Sequence, residues 1–211
     1  IGADPLLTRV GAYYHDVGKM LRPYFFTDNQ YDRSNVHDSL DPKTSAKLIA
    51  DHVIEGAKIA RKYNLPPQIV AFILQHHGTD VIRYFYQQAL QSEDSANLAD
   101  YSYPGPKPQT KETAILMLAD GVEATVRSRE QSGMLIAERD NDPESLPKGG
   151  QTISQVVNYS IDSRITSGQL DESPLTLRDL QTIRTSFVKT LQGIYHPRVE
   201  YPKLTRDMQE K

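Results

Sequence analysis

The stretch Tyr13-Tyr14-His15-Asp16-Val17-Gly18-Lys19-Met20 closes the first helical pattern of the chain, and its reading decides how the rest is organised. Upstream, Asp4-Pro5 is a helix start: an N-cap acceptor followed by proline at the first helical position, where its missing N–H costs nothing. Leu6, Val10 and Tyr14 then recur on one side, and Gly18 offers a stop. Adjacent helical residues point about 100° apart, so His15 and Asp16 reach one point in space only where the helix ends or distorts. A histidine and an acid at such an end are candidate ligands of a metal ion. A lone pair of this kind is a weak signal, and its weight depends on what else the chain supplies.

Working outward, the pattern stays helical, with no run of alternating strand character. Asp41-Pro42 repeats the start signal and opens a helix through Ile49, Val53 and Ala57 to about Asn64. Pro66-Pro67 begins another, with Ile69, Val70, Phe72 and Ile73 as its buried side and Gly78 as its close. A short aromatic-rich stretch covers residues 81–90. Residues 91–109 dissolve into polar residues and then Tyr103-Pro-Gly-Pro-Lys-Pro108, an insertion loop, because helical pattern resumes at once. Ile115, Leu118, Ala119 and Val122 define the next helix, from Thr110 to about Ser128. A second polar loop spans residues 138–150. Two amphipathic helices follow, one carrying Ile153, Val157, Ile161 and Ile165, the other Leu177, Leu180, Phe187 and Leu191, started by a Thr176–Asp179 capping box. The reading is one all-α domain over residues 1–211, a helical bundle with polar loop insertions.

Bulk composition narrows the function. A chain of 211 residues is long enough for one sizeable core. Its net charge of -3 leaves no basic surplus to displace counterions, which argues against a DNA or RNA polymer as partner but not against a small nucleotide. Cysteine is absent, so neither disulfides nor thiolate metal sites exist, and a reducing compartment is permitted. No apolar run approaches the roughly 20 residues of a membrane span, and no secretory signal is visible. The chain opens at Ile1 without an initiator Met and is expected to be a piece of something longer.

The remaining donors fall in three further places. His52 lies mid-helix, His76-His77 stand at a helix end against Gly78, and Asp120 interrupts the apolar run from Ile115 to Val122. An acid in that setting is costly to bury unpaired. Imidazole and carboxylate without thiolate suit Mn, Fe or Zn better than Ca or Mg. A carboxylate can bridge two ions and a histidine cannot, so Asp16 is the natural bridge. Two bridged ions polarise a phosphoryl oxygen and lower the pKa of a shared water, the physical case for phosphoester hydrolysis. The polar residues around them have bland readings. His37 is read as solvated in its loop and His196 as a packing residue at a helix end, while Glu123 and Arg127 are spaced for a helix-surface ion pair. Phe26 and Tyr103 are candidates to stack on a base, although aromatic residues beside prolines also pin loops.

Taken together, His15-Asp16 with its flanks, Arg22-Pro-Tyr-Phe-Phe26, Asn29-Gln30, Gln75-His-His-Gly-Thr79, Tyr103-Pro-Gly-Pro-Lys-Pro-Gln109, Leu118-Ala-Asp120 and Pro197-Arg198-Val-Glu-Tyr-Pro202 resemble the HD domain of seven-transmembrane-receptor HD hydrolases. The resemblance covers essentially the whole chain. It implies the cytosolic domain of a bacterial membrane protein, tethered through an upstream region, that hydrolyses cyclic di-AMP to linear pApA with two divalent ions, manganese or iron. By the same resemblance His15 and Asp120 ligate the first ion, Asp16 bridges, and His52 and His76 hold the second. His77 is its further ligand or a phosphate contact. Asp16 and Lys19 are the implied catalytic residues. Lys19, Arg22, Asn29, Tyr103, Lys107 and Arg127 are candidate substrate contacts. The family pattern also begins with a metal-binding histidine some way ahead of the His-Asp pair, a position that would precede Ile1. Gly78-Thr79 follows the double histidine where cyclic di-GMP enzymes of the HD-GYP type carry Glu, and their Gly-Tyr-Pro signature is absent, so a third metal is not expected. Another HD nucleotidase or nucleoside triphosphohydrolase, and a non-catalytic nucleotide sensor, are the alternatives.

Overall fold

The computed structural model describes residues 1–26, 35–92, 96–137 and 149–195. Asn29, His196 and most of the polar loop 138–150 lie outside them. Within the described residues the chain is all-α: α1 (Pro5–Tyr14), α2 (Pro42–Lys62), α3 (Pro67–Gln75), α4 (Arg83–Ser92), α5 (Lys111–Gln131), α6 (Ile153–Thr166) and α7 (Leu177–Ile194). Extended pairing is limited there to isolated bridges, Val81 with Ser102 and Leu135 with Gln151. The aromatic-rich stretch expected near residues 81–90 is thus α4, with Phe85 and Ala89 facing inward. No helix among the described residues is long and apolar enough to cross a membrane.

Helix starts follow the local chemistry. Asp4 accepts from the N–H groups of Leu6 and Leu7, and Asp41 from that of Thr44, each ahead of a proline at the first helical position. Thr110, Thr152 and Thr176 form capping boxes with Thr113, Gln155 and Asp179. Each such cap satisfies donors that the helix itself leaves without partners and contributes on the order of 1 kcal/mol.

Packing departs from the periodicity in two places. Leu6 and Tyr14 are exposed; Val10 turns to the core as its spacing anticipates, but its partners there are Leu7 and Gly11. The reason is Phe72 of α3, whose ring packs on Gly11, where an added Cβ would fall 2.4 Å from the ring. A bare stretch of helix backbone admits a ring that the neighbouring side chains would push away. Leu177 is likewise exposed, because the apolar stripe of α7 that meets the core starts one turn later, at Leu180, and continues through Ile183 to Leu191.

α5 is the central helix. It packs against α1 and α3 on one side and against α6 and α7 on the other. Leu116 joins Ile69 and Phe72, whereas Met117, Leu118, Val122 and Val126 join Val156, Val157 and Ile161 of α6. After α1 the chain makes a tight 3₁₀ turn, Val17–Leu21, laid directly on α2. Gly18 permits that approach: a Cβ there would fall 1.9 Å from the carbonyl oxygen of His52 and 2.7 Å from the amide nitrogen of Gly56. Both are backbone atoms of a helix, which cannot step aside as a side chain can. Gly18→Ala should therefore lower stability by about 3 kcal/mol, at the upper end of overpacking penalties. Urea unfolding checks this, and an unchanged midpoint would contradict the close approach.

Candidate metal centre

Four stretches meet where α1 ends, α2 passes its midpoint, α3 ends and α5 turns Asp120 inward. Oxygens and nitrogens of Asp16, His52, His76 and His77 lie within 4.8 Å of one another. His15 and Asp120 adjoin this group, the His15 Nε2 lying 3.3 Å from Asp16 Oδ2 and 3.7 Å from Asp120 Oδ1. His52 and His76 are buried, and His15, Asp16, His77 and Asp120 are partly so.

Three imidazoles are oriented by one local device. The Nδ1 of His15, His52 and His76 each sits 2.6–2.8 Å from the carbonyl oxygen three residues earlier, that of Ala12, Ile49 and Ile73. A carbonyl only accepts, so Nδ1 carries the proton and Nε2 is left with its lone pair facing the centre. This is the tautomer that ligates a metal through Nε2. The His52 and His76 Nε2 atoms then face each other at 3.2 Å. Two lone pairs at that distance repel unless a proton or a cation lies beside them.

Asp16 divides its oxygens between the two groups of histidines. Oδ1 lies 3.4 Å from His52 Nε2 and 3.6 Å from His76 Nε2, whereas Oδ2 faces His15 and accepts from Lys19 Nζ at 2.7 Å. Oδ1 is buried without a hydrogen-bond partner, and so is His15 Nε2. Buried polar atoms are seldom left that way. Orphaned donors of the right chemistry, turned toward a common point from opposite sides of one carboxylate, fit a pair of divalent ions.

Electrostatics agree. Burial disfavours a charged His15, but the carboxylates of Asp120 and Asp16 outweigh it and raise its pKa from 6.5 to about 10. Burial likewise works against an ionised Asp16, yet His15, His52 and His76 hold it far below the ordinary carboxylate range. Burial lowers His76, and burial together with the neighbouring imidazoles lowers His77 well below its usual value. The site thus holds an anionic Asp16 beside neutral His76 and His77, with a proton drawn to His15 in place of a heavier cation.

The other sequence-selected residues divide. Tyr103 stacks on His77, with ring centroids 4.1 Å apart and 22° between the planes, and burial raises its hydroxyl pKa. Lys19 lies over the Phe26 ring at 5.2 Å, and Phe26 meets the His52 ring edge-on at 5.5 Å. Arg22, half-exposed, is 3.7 Å from Asp51. These two and His52 help line a cavity of about 180 Å³ beside the centre. Arg127 pairs with Glu123 at 3.3 Å as its spacing anticipates. Lys107 is partly buried, its backbone carbonyl accepting from the Gln109 side chain and its ammonium near Gly168. His37 corrects its expectation: it is buried, with Nε2 2.9 Å from the Phe25 carbonyl oxygen and its ring against Phe25 and Phe85. A one-residue Asx turn at Asn35 directs it inward, which loop polarity alone does not reveal. The sequence did not single out Asp80, in the loop that follows the double histidine, nor Arg164 and Gln169, which pack against that loop.

The family model described as HD domain matches residues 1–125. The cyclic-di-AMP phosphodiesterase PgpH of Bacillus subtilis (strain 168) is 41% identical over 206 residues, covering 98% of this chain and 27% of that protein. The protein of the same name from Listeria monocytogenes serotype 1/2a is 41% identical over 202 residues, covering 96% of this chain and 26% of that protein. This chain therefore spans about a quarter of the length of these relatives. The crystal structure of the L. monocytogenes PgpH HD domain in complex with cyclic-di-AMP superposes with a TM-score of 0.79 at 39% identity, over 92% of this chain and 83% of that one.

The protonation pattern sets the pH behaviour of the metal-stripped protein. His15 is raised on folding, so its contribution is fully present below about pH 6.5 and is lost as pH rises toward 10. Asp16 is lowered, so its contribution is present above about pH 3.8 and is lost as pH falls below that. Thermal unfolding in chelator should show Tm declining from pH 6.5 to 9, and His15→Gln should flatten the decline. An alkaline limb of equal slope in both proteins would exclude this assignment.

Proposed function

The chain belongs to the HD domain family, and from that premise we propose that it is a metal-dependent phosphodiesterase that opens cyclic di-AMP to linear pApA. The observation that carries the reading is the division of Asp16 between two sets of donors. His15, Asp120 and Asp16 would hold one divalent ion, and His52, His76, His77 and Asp16 would hold the other. The donor set, imidazole and carboxylate without thiolate, favours manganese or iron. When bound, such a pair supplies Lewis-acid polarisation of the phosphoryl group and activation of a water for in-line attack.

The protein's own side chains do the rest. The Nδ1–H bonds to helix carbonyls keep three imidazoles from rotating, so the donor geometry exists before substrate arrives. Lys19, on Asp16 Oδ2, adds a positive charge at the edge of the centre, suited to a phosphate oxygen. Phe26 gives the adjoining cavity an aromatic wall suited to a base, and Arg22, once turned from Asp51, is suited to a phosphate, while Asp51 and Glu55 keep part of the lining acidic. Tyr103, on the outer face of His77, limits how that ring can tilt. Lys107, Arg127 and Asn29 belong to the same proposal as contacts from the rim. The substrate assignment draws support from the 39% identical domain that was crystallised with cyclic-di-AMP and from the two PgpH relatives. Their greater length supports a further part of the proposal, that this domain is carried on the cytosolic side of a bacterial membrane by a region outside the chain.

Turnover assays with manganese or iron across cyclic di-AMP, cyclic di-GMP, pApA and deoxynucleoside triphosphates test the reading. The expected result is conversion of cyclic di-AMP to pApA in preference to the others. Clear preference for mononucleotides would overturn the substrate, and binding of cyclic di-AMP without turnover would favour a sensor. Asp16→Ala should bring turnover to background and remove bound metal with helicity intact; activity near that of the parent would sink the mechanism.

A further inference from the structure

The loop after the double histidine is gripped from the far side of the domain. Arg164 of α6 is ion-paired through a guanidinium nitrogen with Asp80 Oδ2, both side chains largely buried. The Gln169 side-chain oxygen, just beyond α6, accepts from the Thr79 N–H at 2.9 Å, and its amide lies 3.3 Å from the Thr79 hydroxyl. Gly78, at φ +55°, brings the loop against Gln169 so closely that a Cβ would fall 2.5 Å from that oxygen. Asp80 returns the hold to the histidine itself, its N–H donating to the His77 carbonyl at 3.1 Å. The same arginine also meets the other ligand-bearing element: a Cβ on Gly121, the residue after Asp120, would lie 3.3 Å from its guanidinium. One cation is therefore wedged between the segment that presents His76 and His77 and the helix that presents Asp120. Both gripping residues, Arg164 and Gln169, lie beyond the part matched by the family model, residues 1–125.

We propose that Arg164 and Gln169 are positioning residues of the metal centre, setting the distance of His76 and His77 from Asp16 and Asp120. The inference rests on the metal-centre reading above. A tilted imidazole weakens a metal bond steeply, and removing the partner that orients a ligand typically lowers metal affinity about 10- to 100-fold.

The test measures manganese binding to the stripped protein by titration calorimetry and by loss of the free-ion resonance signal. Removing one member of a buried ion pair leaves a lone charge, so the pair is neutralised together as Asp80→Asn with Arg164→Gln. Gln169→Leu, of similar size, provides a second variant, and Arg164→Lys a conservative one. Neutralisation and Gln169→Leu should each weaken manganese binding at least about tenfold. Thermal unfolding of the same stripped proteins should stay close to the parent, and Arg164→Lys should recover part of the affinity. A merely structural brace would do the reverse, lowering Tm while the folded fraction binds manganese as the parent does. Manganese affinity within twofold of the parent in both variants would overturn the proposal. His76→Ala separates this from failure of the underlying reading. If it removes an equivalent of manganese while the brace variants do not, only the positioning role falls. If the parent and His76→Ala bind alike, the centre itself falls, and the proposal with it.

Discussion

Two imidazole lone pairs, on His52 and His76, face each other at 3.2 Å beside a carboxylate oxygen that has no hydrogen bond. Such an arrangement is unfavourable without positive charge, and the remainder of the fold can be understood as what holds it together. Folding energy from the apolar clusters on either side of α5 keeps these polar groups converged where, left alone, they would turn away or draw in water. The affinity of the centre for a divalent ion is in this sense stored in the packing of helices that touch no metal.

The orientation of the donors has a simpler origin than their convergence. A histidine at a helix end or midpoint, with Nδ1 bonded to the carbonyl three residues back, is restricted by its own helix. Three separate helices repeat the device, so the ring planes are set locally and only the helix positions need tertiary help. Gly18 and Gly11 supply part of that help by letting the 3₁₀ turn lie on α2 and α3 lie on α1. His77 differs: its setting depends on Tyr103 and on the loop through Asp80, elements that come from elsewhere in the chain.

The matched region, residues 1–125, contains every proposed metal ligand, while α6 and α7 lie outside it. Those two helices close the second core against α5, and Arg164 of α6, with Gln169 just beyond it, grips the loop after the double histidine.

The sequence by itself determined most of the helices and their starts, and it nominated the candidate metal donors that the fold brings together. Caps such as Asp4-Pro5 and Thr176–Asp179 act within one turn, and acids or imidazoles stand out against apolar periodicity, as Asp120 does between Leu118 and Val122. Which side of α1 is buried, the inward turn of His37 and the grip of Arg164 on Asp80 were decided only by the tertiary structure. Periodicity gives the spacing of an apolar stripe, but its angular position is set by the partner, here the Phe72 ring on bare backbone at Gly11. An arginine in an amphipathic helix reads as surface until a carboxylate from a distant loop is packed beside it. Local chemistry is written along the chain; pairings between distant segments depend on how the helices stack.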